Sequence, residues 1–155
     1  MRKWQVYLAA AALVLLLPEG QGSDVGKLQP AELVYIYKEN DAISVCTDTG
    51  DLGSGETLPG ALKDMQETSP GILFLDTVDY ILITEETKNV IPELEEYFRP
   101  SSKVILATGN IDVERVTQFL SVHGPDSPLT DCVTENEQLP KLMTAEERYY
   151  LEQAK

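Results

Sequence analysis

The chain has 155 residues, of which 43% are apolar and 25% are charged, and its formal net charge at pH 7 is −14. This length corresponds to one domain, and the composition is that of a globular protein rather than a disordered one. Because so acidic a surface repels nucleic acid and anionic lipid, the sequence excludes DNA, RNA and membrane-surface binding for the mature domain. A basic partner protein remains compatible with this charge.

The N-terminus has the pattern of a secretory signal. Arg2 and Lys3 give it a basic start, residues 7–17 form an unbroken apolar run, and small residues follow up to Gly22. The run is shorter than the roughly 20 residues that span a bilayer as a helix. We therefore expect residues 1–22 to be a signal peptide or an N-terminal membrane anchor. The protein is then exported, either secreted or held on the extracytoplasmic face of a membrane. A buried N-terminal helix is the remaining alternative.

Two strands are predicted after a linker at residues 23–31. The stretch "ELVYIYKE" (32–39) is rich in β-branched and aromatic residues, and "AISVCTD" (42–48) alternates in polarity. Asn40 and Asp41 between them favour a tight turn, so the pair is predicted to be a hairpin. The glycine-rich stretch "TGDLGSGE" that follows is predicted to be a loop.

A helix and a strand are predicted next. Thr57 is a suitable N-cap, Pro59 falls in the first turn, where its missing N–H is harmless, and Ser69-Pro70-Gly71 ends the helix. The apolar stretches "ILFL" and "VDYILIT" predict a buried strand that is interrupted near Asp76-Thr77.

Two more helices are predicted on either side of a buried strand. The first helix covers roughly residues 89–98, where Val90, Ile91, Leu94, Tyr97 and Phe98 share one face, and Pro100 ends it. The strand is "KVILATG" (103–109). The second helix begins at Asn110 or Asp112 and stops at Gly124.

The composition changes after Gly124. Residues 125–143 contain three prolines and many turn-forming residues, which predicts an exposed loop. Thr144 and Glu147 have the spacing of a capping box, which predicts a short C-terminal helix over 144–155.

The predicted order of elements is ββαβαβα, in a single small domain at residues 32–124. Strands that alternate with helices favour an α/β fold, with helices packed on a sheet that is parallel in part. The N-terminal hairpin makes the sheet mixed. An α+β fold is the alternative.

The sequence offers little site chemistry. His123 is the only histidine, and no nucleophile or carboxylate is identified beside it. Asp48, Asp51 and Glu56 lie among glycines, which favours a calcium loop only weakly, since their spacing does not match an EF-hand. "GDLGSG" lacks the lysine of a nucleotide-binding loop. We therefore predict no catalytic residue, no cofactor-binding residue and no metal ligand.

The two cysteines leave two readings open. Cys46 and Cys132 are a candidate disulfide, because an exported protein meets an oxidising environment. Two unpaired thiols are the alternative, since Cys46 lies inside a predicted strand.

The stretch "GSGETLPGALKDM…SPGILFLDTVDYILITEE" resembles the N-terminal domain of the C-subunit (Ger(x)C-type) lipoproteins of bacterial spore germinant receptors. The resemblance continues through "VILATG" and "ERVTQFL", and covers roughly residues 33–120. Ser23 stands near the position of that family's lipobox cysteine, and Asp76-Thr77 occupies a place where the family often has histidine. The matching positions are Gly55, Thr57, Ala61, Leu62, Leu73, Phe74, Leu75, Ile81, Ile83, Glu85 and Glu86.

The resemblance implies a non-enzymatic accessory protein of spore germination that contacts the membrane protein subunits of a receptor-like complex. Three alternatives remain from the residues alone. The first two are a small extracellular enzyme and a metal-binding domain that uses Asp48, Asp51, Glu56 and His123. The third is a secreted module for an unknown small ligand, with Tyr35, Tyr37 and Tyr80 lining its pocket.

Overall fold

A computed structural model describes residues 28–134, 139–145 and 148–152. The predicted signal at residues 1–22 lies outside these ranges. Within them the chain forms strands in two sheets, four α-helices and two 3₁₀ turns. The strands are β1 (Leu28–Pro30), β2 (Leu33–Glu39), β3 (Ala42–Thr47), β4 (Leu52–Gly55), β5 (Ile72–Phe74), β6 (Tyr80–Ile83), β7 (Lys103–Thr108), β8 (Lys141–Ala145) and β9 (Arg148–Glu152). The helices are α1 (Leu58–Thr68), α2 (Ile91–Leu94), α3 (Val113–His123) and α4 (Leu129–Thr134), and the 3₁₀ turns are Leu75–Thr77 and Glu85–Val90.

The main sheet is mixed and has the strand order β4-β3-β2-β6-β7-β8-β9. Strands β2, β6, β7 and β8 are parallel to one another, whereas β3, β4 and β9 pair antiparallel with their neighbours. Strands β1 and β5 form a separate parallel pair. The described residues therefore form one small mixed α/β domain, which agrees with the predicted class.

Hydrophobic cores lie on both faces of the main sheet. Alternate residues of a strand point to opposite faces, so in β6 Ile81 joins one core and Leu82 the other. Helices α1, α2 and α4 cover the face that we name face A, and α3 covers part of the opposite face, face B. The face A core includes Val34, Ile36, Val45, Leu58, Met65, Ile81, Ile83, Leu94, Val104, Leu106 and Leu129. The face B core is Leu33, Leu82, Ile105, Ala107, Val116, Leu120 and Leu142.

The predicted hairpin and first helix are present. Strands β2 and β3 pair antiparallel, and Asn40 and Asp41 between them have φ values of 50° and 65°. These left-handed conformations are tolerated better by asparagine and aspartate than by most residues. Helix α1 begins after Thr57, whose hydroxyl accepts a hydrogen bond from the N–H of Gly60 at 3.3 Å.

The glycine-rich stretch was predicted as a loop, but it contains strand β4. Helix α1 lies directly on this strand. A Cβ on Gly53 would collide with the backbone of Ala61 and Met65, and one on Gly55 would stand 2.6 Å from the nitrogen of Ala61. The glycines therefore permit a close strand–helix approach, which explains their presence without a nucleotide.

The strand predicted after α1 is interrupted where the sequence indicated. Strands β5 and β6 are separated by the 3₁₀ turn Leu75–Thr77. The hydroxyl of Thr77 donates to the carbonyls of Ala31 and Phe74 at 2.9 and 2.8 Å, which fixes the turn against the start of β2.

The helix predicted over 89–98 is mostly replaced by the 3₁₀ turn Glu85–Val90 and the short α2. Ile91 is helical and Pro92 lies in the first turn of α2, where its missing N–H costs no hydrogen bond, so the proline stands where the 3₁₀ turn ends and α2 begins. The turn is held by Thr87, which is buried and donates its hydroxyl to the carbonyl of Ile36 at 3.1 Å. Leu94 and Phe98 are buried, as the apolar stripe predicted.

Predictions for the two ends of the domain were wrong. Residues 28–30 of the predicted linker form β1, and the predicted loop at 125–143 contains α4 and the start of β8. Of the predicted helix over 144–155, the described residues are instead strand: 144–145 end β8, and 148–152 form β9. Leu142 is fully buried and pairs with Leu151 across the two strands, and this burial outweighs the local capping signal.

Candidate functional site

The site is a partly open surface of face B, formed by side chains from β2, β3 and β4. Tyr35 lies opposite Cys46, Tyr37 lies opposite Ser44, and Cys46 lies opposite Leu52. Since residues opposite each other share a face, all five side chains are on face B. We name this set, Tyr35, Tyr37, Ser44, Cys46 and Leu52, the tyrosine face.

The tyrosine face is only partly covered. The rings of Tyr35 and Tyr37 stack with centroids 4.9 Å apart and planes 24° apart, and both residues are half-buried. Tyr35 packs against the face B core, and the Leu52 side chain is 57% exposed. A partly exposed aromatic pair and, two strands away, an exposed leucine therefore share one face of the sheet at the protein surface.

Tyr80 was expected to line a pocket with Tyr35 and Tyr37, but its hydroxyl is engaged elsewhere. It donates to the Leu120 carbonyl of α3 at 2.9 Å, and the ammonium of Lys103 lies 5.5 Å from its ring centroid. Tyr80 pairs with Leu33 on β2 and packs against the face B core. The structure thus brings two of the three tyrosines together and uses the third to hold α3.

Burial changes the acid–base properties of the tyrosine face. Burial, followed by the neighbouring Cys46 and Tyr37, raises the pKa of Tyr35 to about 12. Burial also raises the pKa of the Cys46 thiol to about 11. The pKa of Tyr37 is raised by burial, then by Cys46 and Glu39, against an opposing hydrogen bond with Ser44. All three groups are neutral at pH 7, and Cys46 is a poor nucleophile because nucleophilic attack needs the thiolate.

These pKa values predict that the domain becomes less stable in alkali. Cys46 and Tyr35 keep their protons in the folded state at pH values where the unfolded chain has lost them, so the free energy of unfolding falls as pH rises. The stability that the Cys46 thiol contributes is lost between its reference pKa of 9.0 and about 11. The stability that Tyr35 contributes is lost between 10.0 and about 12. Urea unfolding midpoints measured between pH 8 and 12 check this. In Cys46→Ala the decline should begin about one pH unit higher, and an unchanged curve would contradict the assignment.

Asp48, a candidate calcium ligand, has a structural role at the start of β2. Its Oδ1 accepts hydrogen bonds from the backbone N–H groups of Glu32 and Leu33, at 3.1 and 3.2 Å. The carboxylate thus ties the β3–β4 turn to the first residues of β2. Glu56, the third candidate, is exposed at the end of β4.

Asp51, the second candidate, closes the same turn from inside. Its carboxylate is buried and accepts hydrogen bonds from the hydroxyls of Thr49 at 2.7 Å and Thr47 at 3.4 Å. The N–H of Asp51 donates in turn to the Thr47 hydroxyl at 3.1 Å, while Gly50 turns the chain with φ of 88°. In the described part of the chain, no three His, Cys, Asp or Glu side chains are placed to share a metal ion.

His123 ends α3, as predicted, and is exposed there. Its ring lies 5.0 Å from that of Phe119, centroid to centroid. The cysteines are not joined in a disulfide. Cys46 lies on face B and Cys132 in the face A core, so the sheet separates them and, of the two readings left open by the sequence, the disulfide is not formed.

Ser44 and Leu52 are the site residues that the sequence did not reveal, and of the two only Leu52 is exposed. It stood in a stretch that was predicted as a loop, although "LGSG" alternates large or polar residues with glycine. That period of two matches a strand with one face pressed against a neighbour. The pairing of Leu52 with Cys46 depends on the β3–β4 register, which the sequence does not contain.

Comparison of the chain with protein-family models, curated proteins and solved structures finds no match. Among the described residues, no helix is both long enough and apolar enough to cross a membrane. Function is therefore inferred from the tyrosine face and from the residue pattern.

Proposed function

We propose that the protein is a non-catalytic, exported accessory domain that binds a partner protein through the tyrosine face. The observation that supports this most is the stacked pair of Tyr35 and Tyr37 on the same face as the exposed Leu52, with Cys46 between them. Tyrosine is enriched in protein interfaces because it supplies a large apolar area together with one hydroxyl group. Two aligned rings lose little side-chain entropy on binding, since each already packs on the other.

The charge of the chain limits the chemistry of the partner. With a net charge of −14, the domain attracts basic surfaces and repels acidic ones. Glu39 lies near the tyrosine face and contributes to the electrostatic surroundings of Tyr37. We infer a partner with an apolar centre that meets the rings and a basic rim that meets the carboxylates.

The sequence resemblance gives this partner an identity that can be tested. We propose that it is a membrane protein subunit of a spore germinant receptor, contacted on the extracytoplasmic side. The same face could instead hold a small ligand, because it presents two neutral phenols in adjacent positions. The engaged carboxylates of Asp48 and Asp51 favour either of these over a metal-binding role.

Replacement of Tyr37 by aspartate tests the proposal. A buried charge in the interface should weaken binding by at least about 30-fold, which is the scale of an interface hot spot. The measurement is co-purification of the tagged protein with the receptor's membrane subunits from detergent-solubilised spore membranes. Val122→Asp is the matched control, because Val122 is 74% exposed on α3 and the substitution makes the same change in charge.

The expected result is that Tyr37→Asp loses the subunits while the Val122→Asp protein retains them. Equal retention by both variants would contradict the role of the tyrosine face. Recovery of the protein in the cytosol with residues 1–22 intact would contradict export. Binding of a small molecule that requires Tyr37, without subunit association, would favour the ligand-binding alternative.

A further inference from the structure

The two edges of the main sheet differ in whether their outward backbone groups are hydrogen-bonded. At the β4 edge, the Asp64 carboxylate of α1 accepts from the N–H of Ser54 at 2.9 Å, and the Thr68 hydroxyl donates to the Leu52 carbonyl at 3.2 Å. Helix side chains thereby occupy backbone groups that would otherwise be open. Strand β9 is the opposite edge, and none of the described residues adds a strand to its outer side. An uncovered edge strand is a template for pairing with another strand.

We propose that β9 pairs antiparallel with β9 of a second copy of this chain, about a two-fold axis at Tyr150. The strand reads "RYYLE" (148–152), and this sequence is complementary to itself in that register. Tyr150 lies opposite Tyr150 of the second copy. Tyr149 lies opposite Leu151 of the second copy, and Arg148 lies opposite its Glu152. An interface of this kind uses the same patch on both subunits.

Charge selects this orientation. Arg148, Tyr150 and Glu152 are all exposed and, being two residues apart, lie on the same face of the strand. The two-fold axis places each arginine opposite a glutamate, so two ion pairs form. A parallel in-register pairing would place arginine against arginine and glutamate against glutamate, which is unfavourable across a strand pair.

An apolar strip supports the same register. Tyr150 pairs with Met143 of β8, and their side chains are 47% and 39% exposed. In the dimer these residues form the row Met143, Tyr150, Tyr150 and Met143, which continues across both copies. Pairing covers apolar surface that the isolated domain leaves in water. Since a strand edge is smaller than a standard interface, the dimer should form in the micromolar to millimolar range.

This contact is separate from the proposed partner site. The tyrosine face lies on β2, β3 and β4, at the other side of the sheet from β9. A dimer through β9 therefore leaves both tyrosine faces accessible, and it presents two of them in a fixed geometry. A membrane assembly with repeated subunits would bind such a dimer with higher avidity than a single domain.

Charge exchange tests the register. Sedimentation equilibrium of the full mature chain should show a monomer–dimer equilibrium at physiological ionic strength. Arg148→Glu and Glu152→Arg should each raise the dimer dissociation constant by at least about 10-fold, because each turns two attractive pairs into repulsive ones. The double variant should restore the dimer. An equimolar mixture of the two single variants should form a heterodimer, since each then faces the opposite charge.

Three results would overturn the proposal. The first is a wild-type protein that stays monomeric at all concentrations from micromolar to millimolar. The second is a dimer that is unaffected by either charge reversal. The third is loss of dimer in both single variants with no rescue by the double variant or the mixture. Circular dichroism melts of every variant separate a failed dimer from a failed fold, and a variant that does not fold is replaced by Arg148→Gln or Glu152→Gln, each expected to weaken the dimer.

Discussion

Replacement of Gly53 by alanine should lower the free energy of unfolding by about 3 kcal/mol, the upper end of the usual cost of overpacking. A Cβ at this position would collide with the Ala61 carbonyl oxygen and the Met65 nitrogen, and it would stand 2.5 Å from the Met65 Cβ. The first two are backbone atoms of α1, so no side-chain rotation relieves the collision. The helix must move away from β4 and lose its packing on the face A core. Urea unfolding followed by circular dichroism measures the change.

Gly60→Ala is the matched control for this prediction. Gly60 lies in α1, where an added Cβ meets the Thr57 hydroxyl at 3.3 Å and the Gly55 Cα at an ordinary contact distance of 3.9 Å. Alanine favours helix over glycine by about 1 kcal/mol, so this variant should be as stable as the wild type or slightly more stable. A Gly53→Ala variant that unfolds within about 0.5 kcal/mol of the wild type would show that α1 does not lie on β4 in this way.

The second large effect is expected at Asp48. Its replacement by alanine should cost about 2 to 4 kcal/mol, because the N–H groups of Glu32 and Leu33 lose a charged acceptor. Asp48→Asn keeps an oxygen acceptor and should lose less than half as much. Thermal and urea unfolding measure both variants. Asp126→Ala, at an exposed carboxylate, should change stability by less than about 0.5 kcal/mol.

Melting temperatures measured with and without calcium distinguish this structural role from the metal-binding alternative. If Asp48 only fixes the β3–β4 turn, millimolar calcium should leave the wild-type melting temperature unchanged. The decrease in melting temperature caused by Asp48→Ala should then be the same with and without calcium. A calcium-dependent rise in the wild-type melting temperature that disappears in Asp48→Ala would instead identify a metal site.

The predictable elements are those in which apolar residues recur at the regular spacing of a strand or a helix. Strands β2, β3 and β7 and helices α1 and α3 each carry an apolar pattern with a capping or turn residue at one end. Strand β4 was missed because its glycines reflect contact with a helix that lies elsewhere in the sequence. Strand β9 was missed because Leu151, which is partly buried, packs on the face B core through its pairing with Leu142 of β8.

The candidate site was predictable to a similar degree. Tyr35 and Tyr37 are two residues apart in a strand, so their shared face follows from the period of a strand. Leu52 belongs to the tyrosine face because of the register of β4 against β3. Tyr80 does not belong to it, because its hydroxyl is hydrogen-bonded to α3. The separation of Cys46 from Cys132 likewise depends on which helix covers which face. These are tertiary facts that local sequence does not encode.

Site-specific photo-crosslinking from position 37 tests the central claim most directly. A photoreactive phenylalanine analogue in place of Tyr37 is illuminated in the native host, and the adducts are identified by mass spectrometry. If the tyrosine face binds the receptor, the adduct contains a membrane subunit, and the same analogue at Gln66, exposed on α1, gives none. The claim is contradicted if position 37 yields no adduct with another protein, or if position 66 yields the same adduct in equal amount.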